Sequence, residues 1–362
     1  MRRFIECLIP TTLCNLRCNY CYVIQQDRRK NKKAIFKYSP EIIGKGLSKK
    51  RLGGTSLISL TASGETFISP ELPAITLEIL KQGHFINITT NGTLTAKINK
   101  FLEITERYHS HIHISFSLHY VELLKHNLLD TFFKNIEIVR KSGCSILVQI
   151  NLSDEYLPHW EDIKSVCLDK VGAYPQVALT RREVHGTYEI MTDLMTNEEY
   201  INKGKEMMSP LFDFTCNNFM VKRQEYCYAG YWSAKLNLAT GEMTGCYGNG
   251  LHQNIFENIN KPIIFLPIGN NCCFKYCFNS SHFISQGIIP ELLPQPSYGE
   301  LRNREIANWY TPEMKVFLYK QFTDTNPELS IIKKKYYNIY YIYLKYLKKL
   351  KRRFCYYEPY RS

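Results

Sequence analysis

The sequence lacks a secretion signal. Met1-Arg2-Arg3 is followed only by a short apolar run, Phe4 to Pro10, and Glu6 interrupts it. No stretch approaches the roughly 20 apolar residues that span a bilayer. No internal repeat of useful length is present. Acidic residues are in short supply, 33 Asp plus Glu against 46 Lys plus Arg, for a formal charge of +13. Without a signal or a span the expected location is cytoplasmic, where thiols stay reduced. The 13 cysteines are therefore not a disulfide framework. They are metal ligands, reactive thiols or small buried apolar residues. The cationic excess suits an acidic partner: nucleic acid, an anionic membrane, a phosphorylated small molecule or an acidic peptide. Low-GC coding bias would enrich lysine equally. No nucleic-acid-binding fold motif is recognisable, which disfavours nucleic acid.

What is present suits a globular chain. Its 362 residues, 44% apolar and 22% charged, allow one large domain and a smaller one. Tyrosine is abundant, with 26 copies, many near the C-terminus. Over the first 180 or so residues, β-branched runs alternate with helical patterns. The strands are expected at Phe4–Ile9, Ser56–Thr61, Ile86–Thr90, Ile112–Ser117, Ile146–Asn151 and Gln176–Leu179. Helices are expected at Pro40–Ser48, Leu72–Gln82, Thr95–Tyr108, Leu129–Ser142 and Trp160–Lys170. This alternation predicts an α/β fold, an incomplete (β/α)6 TIM-like barrel with its chemistry at the C-terminal strand ends. Residues 1–215 would form the barrel. Residues 216–295, rich in Cys, Gly, Asn and Pro, would form a small metal-stapled domain. Residues 296–362 would be a helical, basic, tyrosine-rich tail, with a helix over Glu328–Phe354.

The sequence Cys14-Asn-Leu-Arg-Cys18-Asn-Tyr-Cys21 follows the first expected strand directly. Thiolates are soft ligands that suit iron–sulfur clusters or zinc. Three ligands rather than four leave one metal corner open for a substrate or cofactor. This segment resembles the radical S-adenosylmethionine (radical SAM) family, whose signature is Cys-x3-Cys-x2-Cys at this place, with an aromatic residue such as Tyr20 before the third cysteine. The resemblance implies a [4Fe–4S] cluster on Cys14, Cys18 and Cys21 that chelates S-adenosyl-L-methionine. Reduction would then cleave it to methionine and a 5′-deoxyadenosyl radical.

Further segments match the same family. Ser63-Gly64-Glu65-Thr66 stands where the family has a Gly-Gly-Glu-Pro-like motif, here divergent at Ser63 and Thr66. The resemblance sets Glu65 to accept from the SAM ammonium, while Gly64 permits close backbone approach. Asn91, in Thr-Asn-Gly, ends the third strand. Ser117 and His119 follow the fourth, with His119 where relatives carry an acid. Asn151 ends the fifth and faces the ribose or adenine. Arg181 and Arg182 end the sixth and suit an anionic substrate.

A second group comprises Cys227, then a hairpin over Ser233–Leu238 and Met243–Tyr247 that ends at Cys246 in Gly-x4-Cys. Cys272, Cys273 and Cys277 come later. Cys227, Cys246, Cys277 and either Cys272 or Cys273 would close a tetrahedral site. This is similar to the twitch and SPASM modules of radical SAM enzymes. The cysteine count implies a twitch-like second [4Fe–4S] auxiliary cluster rather than the two clusters of a full SPASM module, with structural zinc as the competing reading. Cys7, Cys144 and Cys167 are expected to be buried thiols. Cys216 is a spare ligand or a hydrogen-atom donor.

In the tail, Ile339, Tyr343, Tyr346 and Leu350 make one apolar stripe, with Lys345, Lys348, Lys349 and Arg352 largely away from it. The helix would lie on an anionic membrane or pack on the barrel with its lysines solvated. The expected function is hydrogen abstraction from a peptide, in oxidative cross-linking or epimerisation, with flavodoxin or ferredoxin as electron donor. Only 13 residues precede Cys14, too few for a leader-binding domain. The alternatives are radical oxidation or epimerisation of a sugar or glycan precursor and, in another class, a non-catalytic iron–sulfur or zinc protein.

Overall fold

A computed structural model describes residues 1–350 except 185, 186, 248, 249, 275, 278 and 279. Six parallel strands carry the fold. They are β1 (Phe4–Ile9), β2 (Leu57–Ala62), β3 (Phe85–Thr90), β4 (Ile112–Ser117), β5 (Ser145–Asn151) and β6 (Gln176–Ala178). Each pairs with the next in sequence order. The crossover helices are Pro40–Gly46, Leu72–Lys81, Thr95–Thr105, Leu129–Lys141 and Trp160–Val171. The expected elements therefore stand within a few residues of their observed bounds, as a partial (β/α)6 barrel.

Alternation along the strands sets the two faces of the sheet. The row Ile5, Ile58, Ile86 and Ile112 is aligned by register and fully buried. The neighbouring row is polar, with Glu6 opposite Ser59, Ser59 opposite Asn87 and Asn87 opposite His113. Asn87 Nδ2 donates to Ser59 Oγ at 2.9 Å, and Ser115 Oγ donates to Asn87 Oδ1 at 2.7 Å. Tyr298 and Tyr310 meet His113 edge-on on this polar face, which leaves the apolar face to the helices. Polar groups in a dry core are costly unless paired, and Ser59, Asn87 and Ser115 pair with one another.

Three expectations need correcting. First, the sixth strand does not run on into Arg181 and Arg182. These begin a separate antiparallel pair, β7 (Arg181–Val184) with β8 (Thr187–Ile190). Second, the cysteine-rich hairpin, β9 (Ser233–Asn237) with β10 (Glu242–Thr244), is not a separate sheet. β9 pairs in parallel with β1, Glu6 opposite Lys235. With β11 (Gln253–Asn254) it extends the sheet to the order β11-β10-β9-β1-β2-β3-β4-β5-β6. Third, residues 298–329 are no tail. They cross the N-terminal strand ends: Ile146 N donates to Trp309 O at 2.9 Å, Gln176 Nε2 to Arg302 O at 3.1 Å, and Arg2 N to Asn326 Oδ1 at 2.7 Å. The tail proper is the helix Ile331–Leu350; residues 351–354 of the expected helix, Arg352 among them, lie outside the described residues. Among the described residues no helix is long and apolar enough to cross a membrane.

Candidate functional site

The loop after β1 carries Cys14, Cys18 and Cys21, and its neighbours hold it in place. Gly64 N donates to Thr11 O at 2.8 Å and Glu65 N to Leu13 O at 2.7 Å, so the turn after β2 forms a short ladder with the chain just before Cys14. Arg29 donates to the carbonyls of Leu16 and Cys14 at 2.8 and 2.6 Å. Arg17 N donates to Glu122 at 2.8 Å, and Asn19 Nδ2 to Glu155 at 3.0 Å. A Cys21 N to Cys18 O bond of 3.1 Å closes the turn.

The three thiols act on one another. Burial pushes the Cys14 and Cys18 thiols up; the charge of Cys21 raises both further, and that of Cys14 raises Cys18. Buried thiols this close resist ionising together unless a cation is shared among them. That donor chemistry fits an iron–sulfur cluster. Among the described residues no three His, Cys, Asp or Glu side chains converge into a finished metal cage.

Glu65 lies buried behind this loop. Its Oε1 accepts from Phe67 N at 2.9 Å and Thr90 Oγ1 at 2.7 Å, and its Oε2 accepts from Asn91 N at 2.7 Å. Burial raises its pKa, and these donors pull it back down. Its observed contacts tie β2 to β3. Asn91 continues the chain of contacts: Nδ2 donates to Asn15 Oδ1 at 2.8 Å and reaches the Cys14 sulfur at 3.9 Å. Tyr20 and His119 contact each other. The Tyr20 hydroxyl meets His119 Nδ1 at 2.6 Å and the Tyr156 hydroxyl at 2.7 Å, within reach of the Cys18 thiol. Burial lowers the His119 pKa to about 4, so its ring is neutral. Ser63, Ser117 and Asn151 are half-buried at the C-terminal strand ends.

The second group gathers where Gly230 packs against Gly245 and Leu266, and Gly245 against Gly250. Cys227 and Gly269 exchange backbone bonds of 3.2 and 2.9 Å, and Cys277 pairs likewise with Met220 and Val221. A Cβ on Gly230 would lie 2.3 Å from Leu266 O, so only glycine permits this stacking. Burial raises the Cys227 and Cys246 thiols, and the charges of Cys277 and Cys272 raise both further. Cys272 and Cys273 are both exposed. Cys216 sits elsewhere. It lines a groove with Lys205, Met208 and Asp213 on the helices Asn197–Lys205 and Pro210–Asn218. Cys7, Cys144 and Cys167 are buried, as expected.

A polar cluster absent from the sequence reading joins β1 to the cysteine-rich region. The Tyr247 hydroxyl donates to Glu6, and the Lys235 ammonium sits 4.7 Å from the Tyr247 ring centroid. His282 packs against the same ring at 5.6 Å. Burial, with the charges of Arg181, Arg302 and Lys235, lowers its pKa to about 3. Burial raises the Tyr22 hydroxyl to about 12, and the charges of Cys21 and Glu6 raise it further. Arg182 faces outward, paired with Glu189 and Asp193 at 2.6 and 2.8 Å. The period-two polar residues of the strands, Glu6, Ser59, Asn87 and His113, were the sequence signal for this interior.

Comparison with known proteins agrees with this geometry. The structure matches Streptococcus suis SuiB bound to S-adenosylmethionine with a TM-score of 0.51 at 16% identity, over 71% of this chain and 64% of SuiB. It matches SuiB bound to precursor peptide SuiA with a TM-score of 0.50 at 16% identity, over 71% and 63%. It matches anSMEcpe with bound AdoMet and Cp18Cys peptide with a TM-score of 0.52 at 12% identity, over 72% and 79%. The chain spans under two thirds of the length of SuiB. At these identities the likeness is one of fold. No curated protein sequence matches the chain significantly. The radical SAM superfamily profile matches residues 8–163, the stretch that holds the three-cysteine loop and strands β2 to β5, and this part of the chain is a radical SAM domain.

Proposed function

We propose that the protein is a radical SAM enzyme that abstracts hydrogen from a peptide. The observation that carries this reading is the three-cysteine loop that follows β1, braced by Gly64, Glu65 and Asn91. In the superfamily a [4Fe–4S] cluster and S-adenosyl-L-methionine, when bound, supply a 5′-deoxyadenosyl radical. Cys14, Cys18 and Cys21 would hold the cluster, and the Asn91 amide would donate to its Cys14 sulfur. Ser63, Ser117 and Asn151, half-buried at the strand ends, would meet SAM. Glu65 holds the strand ends in position. Tyr20 and the neutral His119 form an uncharged wall beside Cys18 that keeps water from the loop.

Cys227, Cys246, Cys272 and Cys277 would hold a second, twitch-like [4Fe–4S] cluster; zinc is the alternative. The polar cluster around Tyr247 would orient the substrate: Glu6 would accept, and Lys235 and Arg181 would attract an anionic group. A one-electron donor of the flavodoxin or ferredoxin type would reduce the first cluster. The peptide complexes of SuiB and anSMEcpe support a peptide substrate. The test supplies the reconstituted enzyme with peptides from cells grown in deuterated medium. Deuterium entering 5′-deoxyadenosine from these peptides supports the reading. Deuterium entering only from labelled sugars would replace it with the glycan alternative.

A further inference from the structure

The C-terminal helix Ile331–Leu350 has two faces with different environments. Toward the protein it presents Lys334, Tyr337, Asn338 and Tyr341, spaced as one helical face. Asn270 N donates to Asn338 Oδ1 at 3.2 Å, and Asn338 Nδ2 donates to Asn270 Oδ1 at 3.0 Å. Gly250 N donates to the Tyr341 hydroxyl at 3.0 Å. Lys334 pairs with Glu291 and Glu328, each at 3.4 Å. The docking face is therefore largely polar, and the apolar stripe expected to pack is not the one that does.

That stripe points away from the protein. Ile332, Tyr336, Ile339, Tyr343 and Tyr346 recur at spacings of four and three residues, and are 80, 60, 68, 54 and 61% exposed. A 20-residue helix is about 30 Å long, so this is an extended ridge rather than scattered exposure. The exposed Lys333 and Lys335 flank it, and the exposed Lys345 lies one turn beyond Tyr341. From 329 to 357 the sequence has nine Lys or Arg and no Asp or Glu.

The charge chooses among occupants. A second copy would bring two such cationic helices together, and like charges juxtaposed cost several kcal/mol. An anionic surface is complementary. Three of the five ridge residues are tyrosines, whose apolar rings and polar tips suit the headgroup level of a bilayer, where an amphipathic helix lies in the plane. We propose that the outward face of the helix Ile331–Leu350 docks the protein on an anionic membrane surface, with the polar inner face remaining attached to the cysteine-rich region. This placement is independent of the reaction assigned above.

The test is co-sedimentation of the full-length reconstituted protein with vesicles of equimolar phosphatidylcholine and phosphatidylserine, against phosphatidylcholine alone. Binding at least about tenfold stronger to the anionic vesicles is expected. Ile339→Glu with Tyr343→Glu, and separately Lys333→Glu with Lys335→Glu and Lys345→Glu, should each lose about tenfold or more. SAM cleavage should be unchanged, since none of these residues touches either cysteine group. Protein that stays in the supernatant at low salt, or variants that pellet like the parent, would overturn the proposal. So would a dimer in solution that the Ile339→Glu, Tyr343→Glu variant dissociates, because the ridge would then be a protein interface.

Discussion

The α-carbon hydrogen of Gly64 faces the carbonyl of Leu13 so closely that a Cβ there would sit 1.9 Å from that oxygen. The contact joins the turn after β2 to the residue just before Cys14. It leaves no room for any side chain, because the obstacle is the Leu13 backbone rather than a flexible group. Gly64→Ala should therefore displace the Cys14 loop without unfolding the helices. Iron bound after reconstitution and SAM cleavage should both fall at least about tenfold, with far-ultraviolet circular dichroism unchanged. Normal iron loading in this variant would show that the ladder to Leu13 is not what shapes the loop.

Glu65 accepts three hydrogen bonds through two oxygens. Glu65→Gln keeps one acceptor oxygen and turns an amide NH2 toward a donor. The change should destabilise the fold by about 1–3 kcal/mol, the range for a buried group left unsatisfied. Urea unfolding of the variant measures it. A midpoint equal to the parent's would mean that the carboxylate is held for a ligand and not for the strands.

The second cysteine group separates from the first by metal content. Cys227→Ala or Cys246→Ala should lower iron by about four atoms per chain, the content of one [4Fe–4S] cluster. Some SAM cleavage should persist, uncoupled from substrate. If the site holds zinc, the variants would instead lose about one zinc and no visible absorption.

Much of this was legible beforehand. The barrel strands announced themselves because β-branched runs and helical patterns alternated at regular spacing. Cys14, Cys18 and Cys21 announced themselves because their spacing is compact and local. What escaped depended on contacts far apart in sequence. Lys235 lies opposite Glu6 only because β9 joins the edge of β1. Trp309 caps β5 across more than 160 residues. The tail's outward stripe is as apolar as any packing face, and no periodicity distinguishes a ridge that docks on the protein from one that points away.

His84 gives a pH dependence with a definite sign. Ser56 N donates to its Nδ1 at 3.1 Å, so Nε2 carries the proton toward Leu47 O at 2.6 Å. Burial lowers its pKa to about 4 from an ordinary 6.5. The unfolded chain therefore takes up a proton first as pH falls. Stability should be undiminished by this group above pH 6.5, decline from there toward pH 4, and flatten below. The full loss is about 3 kcal/mol at most. His84→Gln should remove about one proton's worth of that slope, read as urea midpoints across the window; an unchanged slope would assign it elsewhere.

The central claim is that Cys14, Cys18 and Cys21 hold the cluster that cleaves SAM. The most direct measurement is 5′-deoxyadenosine released by anaerobically reconstituted protein given dithionite and SAM. The parent should release it, and replacement of Cys14, Cys18 and Cys21 by Ala should abolish release while the second cysteine group still binds metal. A parent with its clusters loaded that releases none, or a triple variant that releases as much as the parent, would contradict the account.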